Sequence, residues 1–179
     1  DPRRTVIISG PVGDIKADDF LGPNEDTWVT MTQSGLLSRT YEDAAPRITT
    51  DAKDAPLAMM ASNTTHALYL FTADGQSATV PVKLLQQSDD PEQGVAYPSL
   101  CPLTAQDEIA CAVSLPPTLE EGYLIALTQM GEVKRLRMDD LPGMVAKPFK
   151  FMDIEKGDRL LWVGFVAEEN EVILVTYQG

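Results

Sequence analysis

Trp28-Val-Thr-Met-Thr-Gln-Ser-Gly35 decides the fold, because its pattern returns as Leu68-Tyr-Leu-Phe-Thr-Ala-Asp-Gly75, Leu124-Ile-Ala-Leu-Thr-Gln-Met-Gly131 and Val172-Ile-Leu-Val-Thr-Tyr-Gln-Gly179. Each copy is an apolar run closed by Thr-x-x-Gly, with the threonines at 32, 72, 128 and 176, so that the spacings are 40, 56 and 48 residues. Units of that length are too short for ordinary domains and long enough for four-stranded sheets. The runs are apolar at consecutive positions, which suits strands covered on both faces, as in blades stacked around an axis.

Working outward, a second β-compatible segment follows each of the first three turns: Leu36 to Tyr41, Gln76 to Val82 and Glu132 to Met138. Glycine supplies the turn between antiparallel strands, so each repeat holds a hairpin. The segments Pro56 to Ala61, Ile109 to Leu115 and Leu160 to Val166 precede the later copies and are expected to form a second hairpin, completing a four-stranded set. No helical pattern competes: Ala52 to Ala61 contains Pro56, and Leu84 to Gln87 is too short. Lys83 to Gly94 and Asp139 to Lys147 are outer connections with room for one turn of helix. The expectation is an all-β, propeller-like array of about three complete four-stranded blades plus the start of a fourth, a fragment of a larger ring or of a strand-exchanging array. Residues 1–24 read as a lead-in, and 25–179 as blades with turns at 32–35, 72–75, 128–131 and 176–179. The last run, Val172 to Thr176, is expected to pair with a neighbouring blade or an adjacent molecule, since a free Val-Ile-Leu-Val edge invites aggregation.

Composition narrows function. The chain has 179 residues, 44% of them apolar, enough for a sizeable core. Its 27 acidic residues against 14 basic give a formal net charge of -13, which disfavours indiscriminate capture of nucleic acid and makes the placement of the cations decisive. No apolar run approaches the roughly 18 residues that cross a bilayer, and no export signal is visible. Cys101 and Cys111 read as reduced thiols, pointing to the cytoplasm, and with His66 distant they make no zinc site.

No catalytic, cofactor-binding or metal-binding residue emerges. His66 is the only histidine and has no nucleophile motif beside it. The carboxylates near Asp89, Asp107 and Glu120 sit at chain breaks as solvated loop charge, and Gly10-Pro-Val-Gly13 lacks the rest of a phosphate loop. Cation placement says more. From 51 to 131 the only basic residues are Lys53 and Lys83, whereas Glu132 to Lys150 holds Lys134, Arg135, Arg137, Lys147 and Lys150. On a strand Arg135 and Arg137 share one face and Lys134 and Leu136 the other, so the two arginines are the better phosphate pair, with Lys134 joining at a twisted edge. Arg39 matches Arg135 in the first hairpin and Thr79 matches it in the second, a track strong in blades one and three. The candidate DNA contacts are thus Arg39, Lys134, Arg135, Arg137, Lys147 and Lys150, while the aromatic residues read as blade packing.

In these repeats the chain resembles the C-terminal domain of the A subunit of bacterial DNA gyrase and its topoisomerase IV counterpart. The resemblance runs from Asp1-Pro-Arg-Arg-Thr-Val-Ile7 through Glu25-Asp-Thr-Trp-Val-Thr-Met-Thr-Gln-Ser-Gly35 and His66-Ala-Leu-Tyr-Leu-Phe-Thr-Ala-Asp-Gly75 to Tyr123-Leu-Ile-Ala-Leu-Thr-Gln-Met-Gly-Glu-Val-Lys-Arg135. It implies a β-pinwheel of about six blades that exchange strands. That domain binds or wraps duplex DNA on a basic outer rim and performs no cleavage, so no tyrosine here inherits a catalytic role. It further implies a bacterial, cytoplasmic, nucleoid-associated protein partnered by a cleavage core and an ATPase subunit. The fragment itself needs no cofactor; the full type IIA topoisomerase needs ATP and Mg2+. The family's gyrases carry a basic, glycine-rich box after the first blade's second strand, where this sequence has Ala44-Ala-Pro-Arg-Ile-Thr-Thr-Asp-Ala-Lys-Asp54, with Arg47 and Lys53 but no glycine. That departure leaves gyrase-type and topoisomerase IV-type activity both open. The competing reading is a DNA-silent module for protein contacts or subunit regulation, suggested by the acidic middle.

Overall fold

The computed structural model describes residues 24–48, 51–117, 119, 121–144 and 147–175, so all but the last residue of the expected 1–24 lead-in and the fourth turn at 176–179 lie outside the described residues. Twelve strands form three sheets, here called blades one to three, and no α-helix occurs among the described residues.

Three hairpins repeat one geometry: β1 (Asp26–Thr32) with β2 (Leu36–Arg39), β4 (Ala67–Thr72) with β5 (Gln76–Pro81), and β9 (Tyr123–Thr128) with β10 (Val133–Arg137). The register is equivalent in each, with Val29 opposite Arg39, Tyr69 opposite Thr79 and Ile125 opposite Arg135. The turn explains its own sequence. Gly35, Gly75 and Gly131 take φ of 87°, 86° and 91°, the left-handed conformation that closes a three-residue hairpin loop. Their amides donate to the carbonyls of Thr32, Thr72 and Thr128 at 3.0, 3.0 and 3.1 Å. The same threonines accept at Oγ1 the amides of Leu36, Gln76 and Glu132 at 3.0, 2.9 and 3.0 Å, which an apolar residue could not do.

The segments expected to form second hairpins pair backward instead. The strands β3 (Pro56–Asn63), β8 (Ile109–Leu115) and β12 (Leu160–Val166) lie antiparallel to β1, β4 and β9 of the preceding hairpin. The cause is visible at the end of β3. The Thr64 amide donates to the Glu25 carbonyl (3.0 Å), the Asn63 amide group donates to Asp26 Oδ1 (2.8 Å), and Asn63 Oδ1 accepts the Thr65 amide (2.9 Å). The chain is thereby tied to the start of blade one before it crosses to blade two. The three backward strands converge around an apolar groove of about 690 Å³ lined by residues such as Met60, Cys111 and Trp162, and so mark the inner side of the array.

The outer side is built from borrowed strands. The segment after β5 returns to blade one as β6 (Gln86–Gln87), parallel to β2, and β7 (Val95–Ala96), antiparallel to it. The segment after β10 returns to blade two as β11 (Phe149–Lys150), paired with β5. The outer connections do contain single helical turns, of 3-10 type, at Val82–Leu84, Pro91–Gln93 and Met138–Asp140. The blades hold five, four and three strands rather than four each, because each outer strand comes from the next repeat and none reaches β10 among the described residues.

Two apolar layers hold the blades together. Val29, Met31 and Leu37 of blade one pack with Leu68, Leu70 and Val80 of blade two, and Tyr69 and Phe71 on the opposite face of blade two pack with Leu124 and Ala126 of blade three. The central blade is therefore buried on both faces, as its unbroken apolar run requires. Val172 to Val175 form no strand within this chain, and Ile173 and Val175 are 84% and 81% exposed, so the run pairs with none of the described blades.

Candidate nucleic-acid interface

The β10 strand alternates as its sequence demands. Leu136 points into the layer shared with blade two, and Lys134 points the same way, where its ammonium donates to the Phe151 carbonyl and lies 5.3 Å from the Phe151 ring centre. Arg135 and Arg137 occupy the other face. The Arg135 guanidinium sits 4.6 Å from the centre of the Tyr123 ring, a cation–π contact that orients the charge while leaving the residue exposed. Arg137, 62% exposed, grips Asp139 through Nε and an Nη at 2.9 Å each. Hydrogen bonding to Asp139 raises the Arg137 pKa and holds the aspartate below its ordinary range.

The remaining candidates separate. Lys150 lies on β11, opposite Gln76 and so on blade two, where it forms an exposed ion pair with Asp153. The Lys134 ammonium, on the carbonyl of Phe151, lies one residue along the chain from Lys150, which brings the two lysines to the junction of blades two and three. Lys147 is exposed just before β11. Arg39 stands apart: it is half-buried beside β6, its carbonyl accepts the Ser88 amide (2.8 Å), and its Nε has no hydrogen-bond partner among the described residues. The charge is thus distributed differently from a track through blades one and three, because Thr79 of blade two is compensated by lysines delivered from the following repeat.

Sequence reasoning missed this delivery. The outer segments carry an aromatic residue that seats on the preceding turn: the Tyr97 amide donates to the Gly35 carbonyl (3.0 Å), and the Phe151 and Met152 amides donate to the Gly75 carbonyl (2.9 and 3.1 Å). Blade one receives no cation in this way. Between β6 and β7 its segment brings Asp89, Asp90 and Glu92, which face Asp51 and Asp54 across a cleft of about 550 Å³ that also holds Arg47 and Lys53. Glu92 Oε1 accepts the amides of Lys53 (2.7 Å) and Asp54 (3.2 Å), fixing the 51–54 loop.

Among the described residues no side chains are grouped as a reaction centre. His66 contacts Ser114 Oγ through Nδ1 (3.2 Å), and burial lowers its pKa against the opposing pull of Asp26. Among the described residues no group of three or more His, Cys, Asp or Glu side chains is placed to hold a metal ion, and no helix is long and apolar enough to cross a membrane. The cysteines are unpaired, and burial pushes the Cys111 thiol up to about 12.

No protein-family model matches the sequence. The whole chain aligns with the DNA gyrase A subunit of Dehalogenimonas lykanthroporepellens at 27% identity and with the DNA topoisomerase 4 A subunit of Bacillus subtilis at 25%, covering 23% of each. The chain therefore spans about a quarter of the length of the curated relatives it matches. Among solved structures, the C-terminal domain of a DNA topoisomerase IV superposes with a TM-score of 0.65 at 24% identity, over 80% of this chain and 46% of that one. A DNA gyrase A C-terminal domain gives 0.58 at 17%, over 80% and 49%. Along its whole length the sequence is similar to the A subunits of DNA gyrase and topoisomerase IV, and over four fifths of the chain the fold is that of their β-pinwheel C-terminal domains.

Proposed function

We propose that this chain is the non-catalytic, DNA-binding part of a bacterial type IIA topoisomerase A subunit, and that it presents duplex DNA to a cleavage core and an ATPase subunit. ATP and Mg2+ serve those partners, and the assembly works on the nucleoid in the cytoplasm. The observation that supports this reading most directly is the similarity along the full chain to A subunits of gyrase and topoisomerase IV, joined to the fold of their C-terminal domains. The chemistry agrees: strand-borne arginines and lysines offer charge to phosphates, and no α-helix among the described residues is available to read base edges, so binding is electrostatic and largely indifferent to sequence. The 44–54 loop, with Arg47 and Lys53 beside Asp51 and Asp54, supplies little positive potential, which favours presentation of a bent segment over tight wrapping.

The test is a salt titration with a duplex. Replacing Arg135 and Arg137 by glutamine is expected to lower the slope of log affinity against log salt by up to about 1.8, since each phosphate contact contributes about 0.9. Lys134→Gln is measured separately, because its ammonium also holds the Phe151 carbonyl. Absence of duplex binding by the parent at low salt, with β structure intact, would refute the proposal.

A further inference from the structure

Because the outer strands of blades one and two come from the next repeat, the charge on those two rims is set by that repeat. Blade two receives Lys150 on β11, just after the exposed Lys147, with the Lys134 ammonium on the neighbouring Phe151 carbonyl, and blade three exposes Arg135 and Arg137. Blade one receives Asp89, Asp90 and Glu92. Around its cleft, five carboxylates stand against Arg47 and Lys53, a net charge of -3. These acids are anchored: Asp89 Oδ1 accepts the Tyr41 amide (3.3 Å), Asp90 Oδ1 accepts the Glu92 amide (3.0 Å), and Glu92 holds the 51–54 loop. They cannot swing away from an approaching polyanion without releasing those amides.

We infer that duplex DNA engages the rims of blades two and three only, and that the acidic segment seated on blade one ends the DNA path there. The inference rests on the DNA-binding reading above and gives the contact surface a direction, from blade two toward blade three. A phosphate brought to about 10 Å from a net charge of -3 is held roughly twofold more weakly at 0.1 M salt, after allowing for screening. The penalty multiplies over the several phosphates that a rim contact involves.

Two variants of the full chain with the same change in net charge separate position from overall charge. Lys147→Gln with Lys150→Gln is expected to cut the salt slope by up to about 1.8, whereas Arg47→Gln with Lys53→Gln leaves it unchanged. A third variant, Asp89→Asn with Asp90→Asn and Glu92→Gln, keeps the amide acceptors and is expected to tighten binding at 0.1 M salt at least twofold. Equal slope losses in the two lysine-bearing pairs, a loss confined to Arg47 and Lys53, no loss in either, or an unchanged affinity in the third variant would overturn the directional path while leaving DNA binding itself standing. A parent that binds no duplex at low salt would instead remove the reading on which it rests.

Discussion

Replacing Gly75 with alanine should destabilise the fold far more than the same change at Gly131, although both glycines close equivalent turns. Their φ angles, 86° and 91°, are nearly the same, so the left-handed conformation costs an alanine about 1 kcal/mol at either site. At Gly131 a Cβ meets nothing within 4 Å, and the cost ends there. At Gly75 it falls on the carbonyl oxygen of Met152, backbone that cannot step aside as a flexible side chain does. The 151–152 segment must lift, surrendering the two amides donated to the Gly75 carbonyl, at about 1 kcal/mol each. Phe151, 2% exposed and packed on Phe71 with ring centres 4.6 Å apart, loosens with it, for a further 1 kcal/mol or so. The sum is about 4 kcal/mol at Gly75 against about 1 at Gly131. Urea unfolding followed by circular dichroism, with unchanged m-values, measures both. Costs within 0.5 kcal/mol of each other would refute the docking of the borrowed segment on the turn.

Two further outcomes follow from ionisation. Burial pulls the Asp54 and Asp158 carboxyls upward, but hydrogen bonds outweigh it and hold both below the ordinary range, chiefly those from Ser34 to Asp54 and from Thr128 and the Met130 amide to Asp158. A depressed folded-state pKa stabilises fully above the unfolded value and is lost as pH falls through the folded one. The melting temperature of the Asp54→Asn, Asp158→Asn variant should therefore fall less steeply between about pH 5 and pH 3 than that of the parent, and parallel curves would contradict the assignment. Cys111, with its thiol raised to about 12 by burial, should resist an aromatic disulfide reagent at pH 8 and react on unfolding in urea. Stoichiometric labelling of folded protein at Cys111 within minutes would contradict the packing of Cys111, on β8 of blade two, in the apolar layer shared with blade three.

The hairpins, their register and the two faces of β10 were legible because each rests on local chemistry: a threonine hydroxyl that accepts an amide, a glycine with positive φ, an alternation of period two. The backward pairing of β3, β8 and β12 was not, since an apolar strand beside an apolar run fits either neighbour, and the choice lies in polar ties such as Asn63 to Asp26. One signal was present in the sequence. Asp54, Asp107 and Asp158 each stand two residues before the start of an inner strand's apolar positions; Asp54 and Asp158 brace the turn amides of Ser34 and Met130, while Asp107 caps Thr104 instead. Strands of two residues, such as β6, β7 and β11, carry no periodicity, so the transfer of Lys150 to blade two could not be read from charge counting.

The borrowed outer strands also impose an order on synthesis. On the ribosome, blade one has its hairpin once Arg39 has emerged, yet its edge at β2 waits for Tyr97, and blade two likewise waits for Met152. At about 5–20 residues per second, each edge stays open for roughly 3 to 14 s. During that interval the newest completed hairpin is always one repeat short of closure, a template for pairing with another nascent chain. A truncation placed between repeats would make that transient state permanent, stripping the rim from the blade before the cut rather than removing the blade after it.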